Sequence, residues 1–244
     1  MVSIEKATLY EKYRLPYAPQ AVEDLVRRIG MIQVVADIGA GTGQLARLFA
    51  ERCTKVYAVE PDPAMRKVAS ESLKGYPSIE ILPGYAEQTK LAENSIDLIV
   101  IGNAFHRFKP DACEELRRIL KPQGLIALFS YKFINKAFTE MLSTKLNEMK
   151  GLTSKIEKSW HSTPIQDLFG EGQNQTLSYR QSHSEDWTAF FGAACAGIEA
   201  PERNDRDFGQ FEVLNHQIFD AFAVNGEIQI DYETQVSFGQ PVFC

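Results

Sequence analysis

The sequence predicts an α/β fold, in which a doubly wound, mostly parallel sheet of about seven strands carries helices on its faces. Between residues 33 and 131, short β-branched runs alternate with amphipathic stretches, which is typical of parallel strands joined by crossover helices. Two later alternating runs predict an antiparallel pair at the sheet edge. The 244 residues, 44% of them hydrophobic, suit one such domain with an insertion.

The core strands are predicted from five apolar runs. These are Val34–Ile38, Val56–Glu60, Ile79–Pro83, Ile96–Ile101 and Leu125–Ser130. Three stretches between them place apolar residues three or four apart, which predicts helices with one buried face. They are Leu45–Arg52, Pro63–Leu73 and Asp111–Leu120. The sequence Lys121-Pro122-Gln123-Gly124 then predicts a helix stop and a turn, because proline cannot continue a helix and glycine relieves backbone strain.

The chain after the core is predicted to add a cap and closing elements within one domain, residues 1–244. The cap insertion covers about 132–175 and begins with an amphipathic helix over Phe133–Met149. Residues 151–175 are more polar and form either a lid over a pocket or a surface excursion. The closing region, 176–244, contains two strands and two helices. These are Thr176–His183, Glu185–Ala196, Asp207–Val224 and Ile228–Phe238.

Charge and cysteine usage exclude several classes of partner. The net charge of −6 and pI near 5.4 provide no overall positive field for nucleic acid or anionic lipid. The first residues lack the long apolar run of a signal peptide or anchor, so a cytoplasmic location is expected. The four cysteines are scattered, and His161, His183 and His216 lack metal-ligand spacing, so no metal is expected.

The strongest chemical signal is a Gly-x-Gly-x-Gly turn between the first strand and the first core helix. Gly39, Gly41 and Gly43 follow the strand that ends at Ile38. Glycines permit positive φ and lack the Cβ atoms that would block a ligand from the end of the strand. The turn therefore predicts a surface for a nucleotide-like ligand, although three glycines also suit a simple tight connection.

The neighbouring residues favour S-adenosylmethionine over a dinucleotide. Glu60 ends the second strand, where its two oxygens can accept both ribose hydroxyls, unless it is an ordinary exposed acid. A dinucleotide fingerprint, Gly-x-Gly-x-x-Gly, needs glycine where Gln44 stands. S-adenosylmethionine has an ammonium and no phosphate, and Asp37 beside the turn suits an ammonium better than a phosphate.

Several separated motifs together resemble the class I S-adenosylmethionine-dependent methyltransferases. The resemblance runs from about Val34 to Ser130 and is to the small-molecule group that includes trans-aconitate-type and ubiquinone-biosynthesis-type enzymes. Its motifs are the glycine-rich turn, Gly84-Tyr85-Ala86-Glu87, Asn94–Ile99 with Gly102–His106, and Leu116–Gly124. Gln123 departs from the usual glycine, which is harmless if its φ is negative. The resemblance implies a Rossmann-like fold and a methyltransferase.

The resemblance also implies a set of cofactor-binding residues. The turn surrounds the methionine and ribose portions, Glu60 binds the ribose, and Pro61 and Met65 form the adenine wall. In the trans-aconitate-like subgroup the amino-terminal segment covers the cofactor, so Tyr13 and Arg14 are expected to reach the methionine carboxylate, or else to be a packing tyrosine and a surface arginine. The full implied set is Tyr13, Arg14, Asp37, Gly39, Ala40, Gly41, Thr42, Gly43, Glu60, Pro61, Met65, Ala86, Glu87, Asn103, Ala104 and Phe105.

The expected reaction is an in-line displacement at the sulfonium methyl, for which the protein aligns the reactants and excludes water. Phe105, Tyr13 and Trp160 are candidates for stabilising the cation across an aromatic face. His106 is the candidate base for a hydroxyl acceptor, or else a histidine hydrogen-bonded in the wall, and a carboxylate acceptor needs no base. The alternatives are a catalytically silent S-adenosylmethionine-binding module and an NAD(P)-dependent oxidoreductase, the latter disfavoured by Gln44.

Overall fold

Seven strands form one sheet in the computed structural model, which describes residues 2–150, 168–169, 173–197 and 200–242. They are β1 (Val34–Ile38), β2 (Lys55–Val59), β3 (Ile79–Leu82), β4 (Ile96–Gly102), β5 (Leu120–Phe133), β6 (Gln175–Asp186) and β7 (Glu227–Gly239). The strand order is β3-β2-β1-β4-β5-β7-β6. The first five strands are parallel, whereas β7 runs antiparallel to both β5 and β6. The predicted fold class, including the antiparallel edge pair, is confirmed.

Eight α-helices whose bounds lie in the described ranges and one short 3-10 turn, Phe105–Arg107, accompany the sheet, and residues 168–169 are also helical. The helices are α1 (Ile4–Tyr13), α2 (Pro19–Ile29), α3 (Gln44–Phe49), α4 (Pro63–Ser72), α5 (Ala112–Ile119), α6 (Lys136–Lys150), α7 (Trp187–Cys195) and α8 (Phe208–Phe222). None of these helices has both the length and the apolar run that a bilayer crossing requires.

Two apolar layers enclose the sheet because successive residues of a buried strand point to opposite faces. On β1, Val35 joins the layer formed with α2 and α3, while Ala36 and Ile38 join the layer formed with α5. Asp37 is buried and accepts a hydrogen bond from an α3 amide. Burial of β1 on both faces explains why its sequence is almost continuously apolar, and it fixes the end of the strand where the glycine turn begins.

The predicted helix over Phe133–Met149 is observed as α6, which packs against α8. The possible lid at 151–175 lies largely outside the described residues, as do Trp160 and His161. The extension of one domain over 1–244 stays a prediction. Sequence analysis assigned no helix before residue 33, where the structure places α1 and α2.

The predicted turn at 121–124 is instead an irregular part of β5, and this prediction was wrong. Leu120 already pairs with Ile96, and Leu125 pairs with Leu98, so β5 contains extra residues that β4 does not match. A Cβ at Gly124 would lie 2.6 Å from the Leu120 side chain, because the strand folds closely upon itself there. The residues that suggested a turn thus form a bulge. Gln123 lies outside the positive-φ positions, as expected.

Glu185 in β6 provides a pH-dependent test of the fold. Its side chain is buried, and its Oε2 atom has no hydrogen-bond partner among the described residues. Burial, followed by the neighbouring charge of Asp186, raises the pKa of this carboxyl to about 7. His183 lies at 3.9 Å, between its Nε2 and the Glu185 Oε1, which is too far for a hydrogen bond.

We therefore expect the Glu185 carboxyl to weaken the fold as pH rises. Because its pKa is higher in the folded chain, its contribution to the unfolding free energy is complete below about pH 4.5 and declines until about pH 7. Glutamine does not titrate, so Glu185→Gln should lack this decline. The unfolding free energy of the variant minus that of wild type should therefore increase by on the order of 2 kcal/mol between pH 4.5 and 8. Urea denaturation across this range measures the difference. A pH-independent difference would contradict the assignment.

Candidate functional site

The three glycines of the turn all have positive φ, but the space around the missing Cβ differs at each of them. A Cβ at Gly39 would lie 2.8 Å from the Ala104 Cβ, so this glycine permits close approach of the turn to the segment after β4. A Cβ at Gly43 would lie 2.5 Å from Leu73 Cδ1, so this glycine permits helix packing. Gly41 has no atom closer than 3.8 Å at that position. Gly41 is therefore the glycine whose missing side chain leaves open space.

Glu60 holds the turn from the end of β2. Its Oε2 accepts a hydrogen bond from the Gly41 amide at 2.8 Å, and its Oε1 accepts one from the Asp62 amide at 2.8 Å. Burial raises the pKa of this carboxyl. Each carboxylate oxygen can accept more than one hydrogen bond. The carboxylate thus supports the turn and retains acceptor capacity toward a ligand.

Asp37 lies beneath the turn, facing α3. Its Oδ2 accepts a hydrogen bond from the Ala46 amide at 2.9 Å, whereas Oδ1 is buried without a partner among the described residues. Burial, and secondarily the charge of Glu60, raises the pKa of Asp37 to about 7. Thr42 Oγ1 is likewise buried without a described partner. The underside of the turn therefore has polar capacity that the described residues do not use.

A cavity of about 800 Å³ opens above the carboxyl ends of β1, β2 and β4. This position is the switch point where parallel α/β sheets bind ligands. Nine residues of the predicted set line the cavity. They are Gly39, Gly41, Glu60, Pro61, Met65, Ala86, Glu87, Asn103 and Ala104. The structure therefore brings together residues from four separated sequence motifs.

The segment after β4 forms one side of the cavity. Asn103 has φ of +51°, and its Nδ2 donates to the Tyr17 hydroxyl at 2.8 Å. A Cβ at Gly102 would lie 2.8 Å from that same hydroxyl oxygen, so glycine is needed for Tyr17 to approach. The contact connects Tyr17, two residues before α2, to the end of β4 and fixes Asn103 at the cavity wall.

Helix α1 forms a further wall. The Val2 amide donates to Asp62 Oδ2 at 2.8 Å, and the Tyr10 ring lies beside Gly41. Lys6 is buried at the cavity and donates to the Ala200 carbonyl, while its Nζ also lies 3.5 Å from Glu202 Oε1. These contacts join α1 to α4 on one side and to residues 200–205 on the other.

Tyr13 and Arg14 lie near this wall without lining the cavity. A Cβ at Gly192 would lie only 2.4 Å from the Tyr13 ring, so this tyrosine packs on α7. The Arg14 guanidinium lies between the rings of Tyr10 and Tyr131, at 5.2 and 5.1 Å from their centroids. Its buried Nε has no partner among the described residues. Arg14 thus keeps hydrogen-bonding capacity one helical turn from the cavity.

The remaining predicted residues also lie outside the cavity lining: Asp37, Ala40, Thr42, Gly43, Phe105 and His106. His106 is exposed on the 3-10 turn. The predicted site set did not include thirteen residues that do line it: Val2, Lys6, Tyr10, Asp62, Tyr85, Gly102, Arg107, Phe108, Lys109, Ala200, Pro201, Glu202 and Asp205. Lys6 and Tyr10 lie on one face of α1, which was the available signal. No local pattern marked residues 200–205.

The site fits an adenosyl sulfonium by three features. Gly41 leaves open backbone, Glu60 offers a carboxylate beside it, and Met65 with Pro61 supplies an apolar wall for a base. The helix after the turn, α3, begins at Gln44. No group of three or more histidine, cysteine or acidic side chains suited to a metal occurs in the described ranges.

Comparison with known proteins agrees with this geometry. A family model described as a methyltransferase domain matches residues 36–128. An uncharacterized methyltransferase of Mycobacterium tuberculosis is 37% identical over 120 residues, which are 49% of this chain and 47% of that protein. The chain therefore spans about half the length of that curated relative. An uncharacterized methyltransferase of Geobacillus kaustophilus is 32% identical over 163 residues, covering 64% of this chain and 74% of that protein.

Solved structures share the fold at low sequence identity. The YcgJ protein of Bacillus subtilis superposes with a TM-score of 0.53 at 17% identity, covering 91% of this chain and 99% of that one. A protein from Anaeromyxobacter dehalogenans gives a TM-score of 0.57 at 18% identity, covering 93% and 98%. The motifs, the sheet order and the sequence relatives agree. The chain belongs to the class I S-adenosylmethionine-dependent methyltransferase family.

Proposed function

We propose that this protein transfers the methyl group of S-adenosylmethionine to a small-molecule acceptor. The observation that carries the proposal is the open backbone at Gly41 held against the Glu60 carboxylate, at 2.8 Å between amide nitrogen and Oε2. When bound, S-adenosylmethionine supplies a methyl group activated by a sulfonium. The cavity of about 800 Å³ suits a small ligand, and the net charge of −6 disfavours nucleic acid.

The proposed binding residues contact different portions of the cofactor. Glu60 accepts hydrogen bonds from the ribose hydroxyls, and Gly41 allows the cofactor to approach the backbone, while Gly39 lets the turn lie against Ala104. Met65 contacts the base through its thioether and methylenes. Ala86 and Glu87 at the end of β3 border the adenine edge, and Asn103 with Ala104 borders the methionine portion.

We propose that Arg14 binds the methionine carboxylate of the cofactor. The guanidinium has a buried Nε without a described partner, and a carboxylate is the group that a planar guanidinium binds best. Tyr10, on which the guanidinium stacks, lies beside Gly41 and lines the cavity, which supports this assignment. Tyr13 positions α1 on α7 and thereby supports Arg14.

The protein's contribution to rate is alignment and exclusion of water. A well-aligned pair of reactants can gain about 7–11 kcal/mol over the reaction in solution. Lys6 and Tyr10 of α1, together with Ala200, Pro201, Glu202 and Asp205, line the cavity, and we propose that they limit the access of bulk water to the methyl group. His106, on the turn after β4, remains the proposed base for a hydroxyl acceptor, and a carboxylate acceptor needs none.

Methyl transfer is tested by incubating the protein with methyl-labelled S-adenosylmethionine and a panel of small acids, phenols, quinols and amines. We expect label in at least one acceptor, and loss of transfer in Gly41→Val. Persistent binding without product across a broad panel would favour a catalytically silent binding module. Tight binding of NADH without binding of S-adenosylmethionine would favour an oxidoreductase.

A further inference from the structure

The charged side chains around the cavity differ in how far the protein already uses them. Each of the five acidic residues has a partner. Glu60 and Asp62 accept backbone amides, Glu87 accepts the Lys109 amide, Asp205 accepts the Glu202 amide, and Glu202 pairs with Lys6. These carboxylates support turns, a helix cap and the contact with α1.

Two cations of the cavity are not used in this way. Arg107 and Lys109 both line it and are exposed. Across 2–150, 168–169, 173–197 and 200–242, neither side chain forms a hydrogen bond or an ion pair. Arginine and lysine at a cavity are the groups that recognise carboxylate and phosphate, arginine through a planar fork. Among the described cations that line the cavity, Lys6 is paired with Glu202, so the exposed positive charge of the lining lies at Arg107 and Lys109.

The two cations belong to a fixed part of the wall. The Lys109 amide donates to Glu87 Oε1 at 2.8 Å, which ties the segment after β4 to the turn after β3. Phe108, between the cations, is buried and lies beside Gly39. Tyr85, on the other turn, also lines the cavity and exposes 63% of its surface. An exposed aromatic ring and two cations without partners among the described residues therefore border the same opening.

We propose that the methyl acceptor carries an anionic group, a carboxylate or a phosphate, which Arg107 and Lys109 bind at the cavity rim. The inference rests on the proposed function, because it takes the cavity as the site of methyl transfer. The cations act as specificity-determining residues: they hold the acceptor by a group separate from its reacting atom. Tyr85 contributes apolar contact to the body of the acceptor.

The cofactor's own carboxylate is the competing ligand for these cations. It is expected beside Arg14, which stacks on Tyr10. The Lys109 backbone amide is instead bonded to Glu87, which we propose borders the adenine edge, and Arg107 lies two residues earlier on the same segment. The cations bind either the acceptor or the cofactor carboxylate, and two ligands distinguish these assignments. S-adenosylhomocysteine contains the amino-acid portion, whereas 5′-methylthioadenosine lacks it. If the cations bind the cofactor carboxylate, Arg107→Gln/Lys109→Gln weakens only the former ligand, and our proposal is overturned.

The acceptor class is tested by ligand-observed NMR on protein saturated with S-adenosylhomocysteine. The probes are two matched pairs, benzoate with benzamide and succinate with succinamide. We expect wild type to prefer the anion of at least one pair by about five-fold, and Arg107→Gln/Lys109→Gln to remove most of that preference. Arg28→Gln/Lys74→Gln removes the same charge from exposed positions outside the cavity and should retain the preference.

The remaining outcomes each decide the matter. Equal binding of anion and amide in both pairs, or a preference that survives in the Arg107 and Lys109 variant, overturns the anionic acceptor. An equal loss in the control variant means that net charge alone creates the preference, and this also overturns it. Failure of S-adenosylhomocysteine to bind wild type would refute the proposed function instead, so the two failures are distinguishable.

Discussion

Replacing Gly41 with valine is expected to lower the affinity for S-adenosylhomocysteine by more than about 100-fold, which corresponds to roughly 2.7 kcal/mol. A Cβ at Gly41 would meet no protein atom closer than 3.8 Å, so this space is open. A valine side chain would occupy the space that the ligand needs. Gly41 has φ of +58°, so the variant also carries a backbone penalty of roughly 1–3 kcal/mol. Isothermal titration on folded protein measures the affinity.

The backbone penalty is separated from the steric effect by a matched control. Gly226 has φ of +84°, nothing within 4 Å of its Cβ position, and lies before β7 outside the cavity lining. Gly226→Val should lose comparable thermal stability and keep its affinity. Unchanged affinity in Gly41→Val, or an equal loss in both variants, would place the ligand elsewhere.

Glu60→Gln is expected to reduce affinity for S-adenosylhomocysteine by about 10- to 100-fold. The glutamine has one acceptor oxygen, whereas Glu60 uses two, one toward the Gly41 amide and one toward the Asp62 amide. The amide nitrogen of glutamine would therefore face a donor, and the ribose hydroxyls would lose a charged acceptor. Calorimetry measures this loss, and circular dichroism checks the fold.

Ligand analogues show whether the effect of Glu60 operates through the ribose. Wild type should bind the 2′-deoxy analogue of S-adenosylhomocysteine more weakly than the parent, and Glu60→Gln should narrow that difference. Glu80→Gln, on the exposed face of β3 where the residue pairs with Lys55, serves as the charge-matched control. If the affinities for the parent and the 2′-deoxy analogue differ by the same factor in Glu60→Gln as in wild type, the carboxylate only supports the turn.

Hydrophobic periodicity predicted most of the fold because it reports burial. The five core strands, the helices between them and the antiparallel edge pair all appear, with ends that differ by a few residues. The bulge at Leu120–Leu125 was missed because proline and glycine suit a turn and a bulge equally well. Which one forms depends on pairing with β4, and that is a tertiary contact.

The floor of the site was predictable and its walls were less so. Gly39, Gly41 and Glu60 lie in short motifs whose chemistry depends on adjacent backbone. Lys6 and Ala200 meet across 194 residues of sequence, so no local pattern could pair them. Arg107 and Lys109 resemble ordinary exposed cations in the sequence, and only the cavity and the absence of described partners set them apart.

The most direct test of the account is a crystal structure with S-adenosylhomocysteine bound. We expect the adenosyl group above Gly39 and Gly41, with ribose hydroxyls within hydrogen-bonding distance of the Glu60 carboxylate. A ligand bound elsewhere, or a ribose that does not contact Glu60, would contradict the central claim.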